Sequence, residues 1–181
     1  GVSSVQGNAF RRLNVLATMI SGVLLQGSSR LSDLARSNCD PKQQASKEKQ
    51  LSRWIQSDHN TYEVHYLPYI EKLLANLAKG GDLVFSIDGW TGGRGCRILM
   101  FSVIYKNRAL PLIWQVFKAK KGHLPETAHR DLLARLAQIA PQGCRMSIVG
   151  DGEYDGCDWQ EDIRELGWDY VLRTSKANLI E

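Results

Sequence analysis

The chain has 181 residues, 43% hydrophobic and 23% charged, which suits one ordinary domain or a core with a small appendage and argues against wholesale disorder. No apolar run nears the ~18–20 residues of a membrane span, and the apolar segment after Arg11 and Arg12 is broken by Asn14, Thr18 and Ser21, unlike a signal peptide. The net charge of +4 lies wholly in residues 1–80, with 10 Lys/Arg against 6 Asp/Glu, whereas residues 81–181 carry 13 of each, so a polyanionic partner is expected for the N-terminal part.

In chain order, residues 1–9 are polar and read as loose. From Phe10 to Leu25, Leu13, Leu16, Ala17, Ile20 and Leu24 fall at helical spacing and are expected to face inward. Gly27-Ser28-Ser29 breaks that helix. Ser29 is expected to cap a second one, Arg30 to Ser37, and Ser46 a third, Lys47 to Gln56, with Leu51, Trp54 and Ile55 on one face. A fourth helix, Tyr62 to Leu77, has Pro68 as a kink or first-turn residue, and Lys79-Gly80-Gly81 ends it. The texture then changes. Val84–Asp88, Arg97–Tyr105 and Ala109–Phe117 read as three strands of an antiparallel meander, with a tight turn at Lys106-Asn107-Arg108 and a bulge near Pro111. Helix Glu126–Ile139, strand Arg145–Gly150, helix Asp158–Leu166 and strand Trp168–Arg173 follow.

The predicted order is βββαβαβ behind an all-helical segment. Three antiparallel strands followed by a right-handed βαβαβ unit make a mixed five-stranded sheet with helices on its faces, an α/β fold of the ribonuclease-H-like kind. The first strand is then central and the fourth lies beside it. The expected domains are a helical region over 1–80 and the sheet core over 81–181.

Two strands end alike: Ile87-Asp88-Gly89 and, 63 residues on, Gly150-Asp151-Gly152. Asp-Gly after a strand is commonly just a turn. Two such acids at matching ends of adjacent strands also suit a metal-dependent phosphodiester chemistry. Two divalent ions roughly 3.5–4 Å apart neutralise the attacked phosphate and activate a water or a 3′-hydroxyl. Magnesium or manganese takes hard oxygen ligands, usually one or two carboxylates. Asp88 and Asp151 are therefore the candidate catalytic and metal-holding residues.

Residues 83–176 resemble the catalytic core of DDE-type transposases of bacterial insertion sequences, in the cut-and-paste group called the IS-four family. Ser86-Ile87-Asp88-Gly89-Trp90-Thr91 resembles the block with the first acid. Leu99–Tyr105 with Arg108-Ala109-Leu110-Pro111-Leu112-Ile113-Trp114 resembles the hairpin R-A-[LI]-P-L-x-W, and Lys121-Gly122-His123 with Glu126-Thr127 resembles the loop after it. Ile148-Val149-Gly150-Asp151-Gly152-Glu153-Tyr154-Asp155-Gly156 resembles A-D-R-E-F-x-G, the block of the second acid, and Trp168–Arg173 resembles the next strand.

The resemblance implies metal-dependent DNA cleavage and strand transfer, a magnesium or manganese cofactor, double-stranded DNA as partner, a homodimer in the complete enzyme, and a bacterial cytoplasmic, nucleoid-associated setting. Three departures stand out: Trp90 and Thr91 where the family often has Thr two residues after the acid, Gly152 in place of Arg, and no third acid. That acid belongs to a Tyr-x2-Arg-x3-Glu-x6-Lys motif. Tyr170 and Arg173 have its first spacing, but position 177 is Ala. The chain is accordingly expected to be the front part of a transposase, poor or inert in catalysis. A DNA-binding remnant without catalysis and an unrelated α/β domain are the alternatives. Glu153 and Asp155, acids near Asp151, are candidate local substitutes for the missing acid.

Arg11, Arg12, Arg30, Lys47, Lys49 and Arg53, with a helix-turn-helix-like pairing of the second and third helices, are candidate phosphate contacts, or else a solvated basic face. Lys120 and Lys121, in the loop Lys118–Pro125, are candidates to grip DNA beside the acids, or else part of a mobile polar loop. His59, His65 and His129 lack metal spacing and read as surface or partly buried. Trp54, Trp114, Trp159 and Trp168 read as core, whereas Trp90 is placed to stack on a base. Cys39, Cys96, Cys144 and Cys157 form no C-x-x-C pair and read as reduced thiols.

Overall fold

A computed structural model of the chain describes residues 6–118 and 124–173. They form two compact units that divide between Pro68 and Tyr69, inside the first turn of α5, so most of that helix groups with the sheet rather than with the helices before it.

The N-terminal unit contains α1 (Gly7–Gln26), α2 (Leu31–Ser37), α3 (Gln44–Ile55) and the single turn α4 (Tyr62–His65). Its core is Leu34, Ala35 and Leu51, packed against Val15, Met19 and Leu31. The face of α1 differs from the expected one. Leu13, Ile20 and Leu24 are exposed, Leu24 by 80%, and Val15, Met19 and Gly22 turn inward. Both sets have helical spacing, but Val15, Met19 and Gly22 share their side of α1 with the polar Asn8, Arg11 and Arg12. The choice falls to Gly22, where a Cβ would stand 2.9 Å from Ser37 Oγ and 3.0 Å from Leu34 Cδ2. Only a bare backbone lets α2 approach so closely.

The serine caps are also corrected. Neither Ser29 nor Ser46 caps a helix: the N-caps are Arg30 and Gln43, with no side-chain cap bond. Ser28 takes over instead. Its hydroxyl accepts from Arg30 N at 3.2 Å and donates to Asp33 at 2.7 Å, tying the turn to the first turn of α2. Ser46 lies inside α3, which starts three residues earlier than expected. Ile55, expected inward, is half exposed.

The second unit holds most of α5 (Leu67–Ala78), then β1 (Leu83–Thr91), β2 (Cys96–Tyr105), β3 (Arg108–Lys118), α6 (Glu126–Ile139), β4 (Met146–Gly150), α7 (Cys157–Glu165) and β5 (Asp169–Leu172). Pro68 sits in the first turn of α5, where a missing N–H costs nothing. The sheet order is β3-β2-β1-β4-β5, antiparallel from β1 to β3 and parallel from β1 through β4 to β5. This is the mixed ribonuclease-H-like sheet expected from the element order.

Local chemistry explains its joints. Lys106 and Asn107 both take positive φ (46° and 62°), the two-residue turn whose twist matches that of the flanking strands. Between β2 and β3 the register shifts: Phe101 faces Ile113 but Ser102 faces Pro111, leaving Leu112 as the extra residue. Pro111, which has no N–H for the ladder, thus sits at a bulge on an edge strand. The core is Phe85, Ile87, Leu99, Phe101, Val103 and Ile148 from the sheet, with Leu132, Leu133 and Leu136 of α6 and Trp159 and Ile163 of α7. Phe101 stacks on Trp159 at 6.1 Å between centroids. Trp54, Trp114 and Trp168 are half-buried, not fully so.

Candidate active site

The two acids arise from the register of β1 and β4. The last paired residues are Ser86 and Val149, and two steps further along each strand stand Asp88 and Asp151. Parallel strands run about 4.8 Å apart, so the paired residues just before the two acids stand side by side. Buried and half-exposed residues alternate in step along both strands, so Asp88 shares a face with Ser86, and Asp151 with Val149.

One expectation needs correction. β1 does not end at Asp88; it runs on to Thr91, paired with β2 from Asp88↔Met100 to Thr91↔Arg97. What ends at the acids is the pairing with β4. The acids therefore stand where the β1–β4 ladder opens, at the sheet rim, and both are exposed.

Each carboxylate is anchored to nearby backbone. Asp88 Oδ1 accepts from Gly89 N at 2.8 Å. Asp151 Oδ1 accepts from Glu153 N at 3.0 Å and so caps the short 3-10 turn Gly152–Tyr154. That turn swings Tyr154 back over the strands, where it is buried. Burial first, and then the carboxylates of Glu153, Asp151 and Asp88, push its phenol above the ordinary range, so all three acids lie near it.

Glu153 has a further neighbour. Arg97 Nη2 of β2 lies 3.5 Å from Glu153 Oε1. Arg97 is buried, and among the described residues its Nε has no hydrogen-bond partner. This buried guanidinium carried no sequence signal, because it stands nine residues from Asp88 and meets the site only through strand pairing. His129, read from sequence as surface or partly buried, is buried beneath the turn, edge-on to Tyr154 at 5.0 Å and to Trp159 at 6.1 Å. Burial pulls its imidazole below the ordinary pKa, with Glu153 and Glu126 opposing. Trp90 remains 41% exposed, two residues after Asp88.

The donor set fits a hard divalent cation. Two exposed carboxylates, one on β1 and one just past the end of β4, are the usual protein share for magnesium, the remainder being water and phosphate oxygens. Among the described residues no third His, Cys, Asp or Glu joins them in a metal-holding group. The ion pair with Arg97 gives Glu153 a different partner.

The basic candidates divide. Arg11, Arg12 and Arg53 line one cleft of about 370 Å³ between α1 and α3, with Asn8, Gln50 and Asn60. Trp54 Nε1 donates to Arg12 O at 2.8 Å and holds the two helices in place there. Arg30, Lys47 and Lys49 do not line it. Lys47 Nζ donates to Asn38 O at 2.7 Å. Lys120, Lys121 and His123 lie outside the described residues. The four cysteines are free, and no described helix is long and apolar enough to cross a membrane.

Comparison with known proteins agrees with the geometry. The family model described as the transposase DDE domain matches residues 75–180, more than half of the chain, and covers the sheet and both acids. No curated protein matches the chain. On the strength of that match and of the mixed sheet it spans, the chain belongs to the transposase DDE domain family.

Proposed function

We propose that Asp88 and Asp151 are two of the metal-holding acids of a cut-and-paste DNA transposase of the IS-four type. The observation that supports this reading is the β1–β4 register, which pairs Ser86 with Val149, each two residues before an acid. When bound, magnesium or manganese supplies charge neutralisation at the attacked phosphate and activation of the attacking oxygen. Water then attacks phosphorus and the P–O3′ bond breaks, leaving a 3′-hydroxyl at the transposon end. That hydroxyl attacks a target phosphodiester, forming one P–O bond as another breaks.

The chain's own residues supply position. Asp88 is fixed by its pairing with Met100 of β2 and its bond from Gly89 N, and Asp151 by capping the turn through Glu153 N. Trp90 is exposed beside them for stacking on a base. The arginine cleft between α1 and α3 takes backbone phosphates of double-stranded DNA. Lys120 and Lys121 are further phosphate contacts, a homodimer engages the paired ends, and the setting is the bacterial cytoplasm.

A second reading has its own support. Because no third carboxylate joins the pair among the described residues, the chain acts as a DNA-binding module without catalysis. Magnesium-dependent nicking of a supercoiled plasmid separates the two. Nicking by the 181-residue chain that is abolished by Asp88→Asn and by Asp151→Asn supports the first. Salt-sensitive DNA binding without nicking supports the second. Nicking untouched by either substitution would sink the assignment of the acids.

A further inference from the structure

The side chain of Tyr154 lies across the two strands that carry the acids, at the residue next to each acid. On β1, a Cβ on Gly89 would stand 3.0 Å from the Tyr154 hydroxyl oxygen. On β4, a Cβ on Gly150 would stand 3.0 Å from Tyr154 Cδ2, 2.9 Å from Ile87 Cγ2 and 3.1 Å from Leu172 Cδ2. Gly89 follows Asp88, and Gly150 precedes Asp151. Neither glycine has positive φ, so a close approach and not a backbone twist accounts for both.

Ladder pairing between β1 and β4 stops at Ser86 and Val149, two residues short of the acids. Beyond that point the ladder no longer sets the spacing of the strand ends. Two like charges there repel, which favours splaying. The buried Tyr154 ring lies against both strand ends there. It is held from behind by His129 at 5.0 Å, and its turn is closed by the Asp151 cap and by the bond from Tyr154 N to Asp151 O at 3.2 Å.

We propose that Tyr154 is a positioning residue: its ring, seated on Gly89 and Gly150, sets the separation of Asp88 and Asp151 and so the fit of the pair to a divalent cation. This inference rests on the metal-holding reading of the two acids.

The test titrates the full 181-residue chain with Mn²⁺ alone and follows free Mn²⁺ by electron paramagnetic resonance. Outer groups that orient ligands typically change metal affinity by about 10–100-fold. Tyr154→Leu is expected to weaken Mn²⁺ binding about tenfold, at the lower end of that range, while Tyr154→Phe, which keeps the ring, stays within about twofold. Circular dichroism and thermal melts establish that each variant is folded at the assay temperature. Gly89→Ala approaches the same contact from β1 without touching the tyrosine, and decides the matter if Tyr154→Leu does not fold. It is expected to weaken binding as well, since its methyl would displace the phenol.

Unchanged Mn²⁺ affinity in the folded variants, with binding abolished in Asp88→Asn and Asp151→Asn, overturns the positioning role and leaves the metal pair standing. A loss in Tyr154→Phe equal to that in Tyr154→Leu overturns the ring as the agent. Binding that survives Asp88→Asn and Asp151→Asn overturns the metal reading and this inference with it.

Discussion

Asp151 Oδ1 accepts the backbone N–H of Glu153 at 3.0 Å, so a candidate metal-holding acid is also the cap of the turn beside it. Function and stability can be separated there by chemistry. Asn caps about as well as Asp, whereas Ala leaves the N–H unpaired at a cost of about 1 kcal/mol. In thermal melts Asp151→Asn should hold the wild-type midpoint, and Asp151→Ala should fall by about 2–4 °C for a chain of this size. Both should lose Mn²⁺ binding. A large drop for Asp151→Asn would show that its charge, and not its cap, is structural.

Glu126 reaches from α6 to the start of α7, where its Oε1 accepts from Trp159 N at 2.9 Å. The carboxylate occupies the space that a side chain at Gly156 would need. Gly156→Ala should evict it and cost about 1–2 kcal/mol, the value of a missing helix cap. Glu126→Ala should cost a similar amount, and the double variant little more than either alone. Denaturant melts of the three proteins provide the check; additive losses would separate the two residues.

His129 is buried and its pKa lies below the ordinary 6.5, burial being the main cause. The unfolded chain therefore binds a proton that the folded chain resists. The stability this neutral imidazole contributes is fully present above about pH 6.5 and is lost as pH falls toward its depressed folded value. Stability measured from pH 7.5 to 5 should decline on the acid side, and His129→Phe, which keeps an aromatic ring against Tyr154 and Trp159, should flatten that decline. An identical profile in the variant would exclude His129 as its source.

The cleft between α1 and α3 makes a distinction among the basic residues. Each phosphate that the protein no longer neutralises should reduce the slope of log affinity against log salt by about 1. Arg53→Ala, inside the cleft, should do so for DNA binding. Lys47→Ala should not, because Lys47 already bonds Asn38 O. Equal slopes for wild type and Arg53→Ala would remove the cleft from the interface.

Much of this molecule was legible in its residues. Strand and helix periods differ, so the change of texture after Gly80-Gly81 marked where the sheet begins. The element order then left few topologies, and it put β1 beside β4 with an acid on each. Glu126–Ile139 forms the helix read from its spacing, and Pro111 predicted the bulge, because a residue without an N–H cannot sit in a regular ladder. What period alone could not settle was phase. On α1 the apolar stripe of Leu13, Ile20 and Leu24 stays exposed, and the side with Gly22 packs against α2 instead. The caps at Ser29 and Ser46 failed because each helix starts at a different residue, Arg30 or Gln43, which makes no side-chain cap bond.

Residues close along the chain dictate the element order, the basic N-terminal part and the two Asp-Gly pairs, so these were open to reading before any fold was known. It took the folded chain to establish that the β1–β4 ladder opens just before the acids, that Arg97 lies against Glu153, and that Tyr154 spans Gly89 and Gly150. Those contacts join residues from separate strands and a turn, and their distances follow from strand register and packing, which no local pattern encodes.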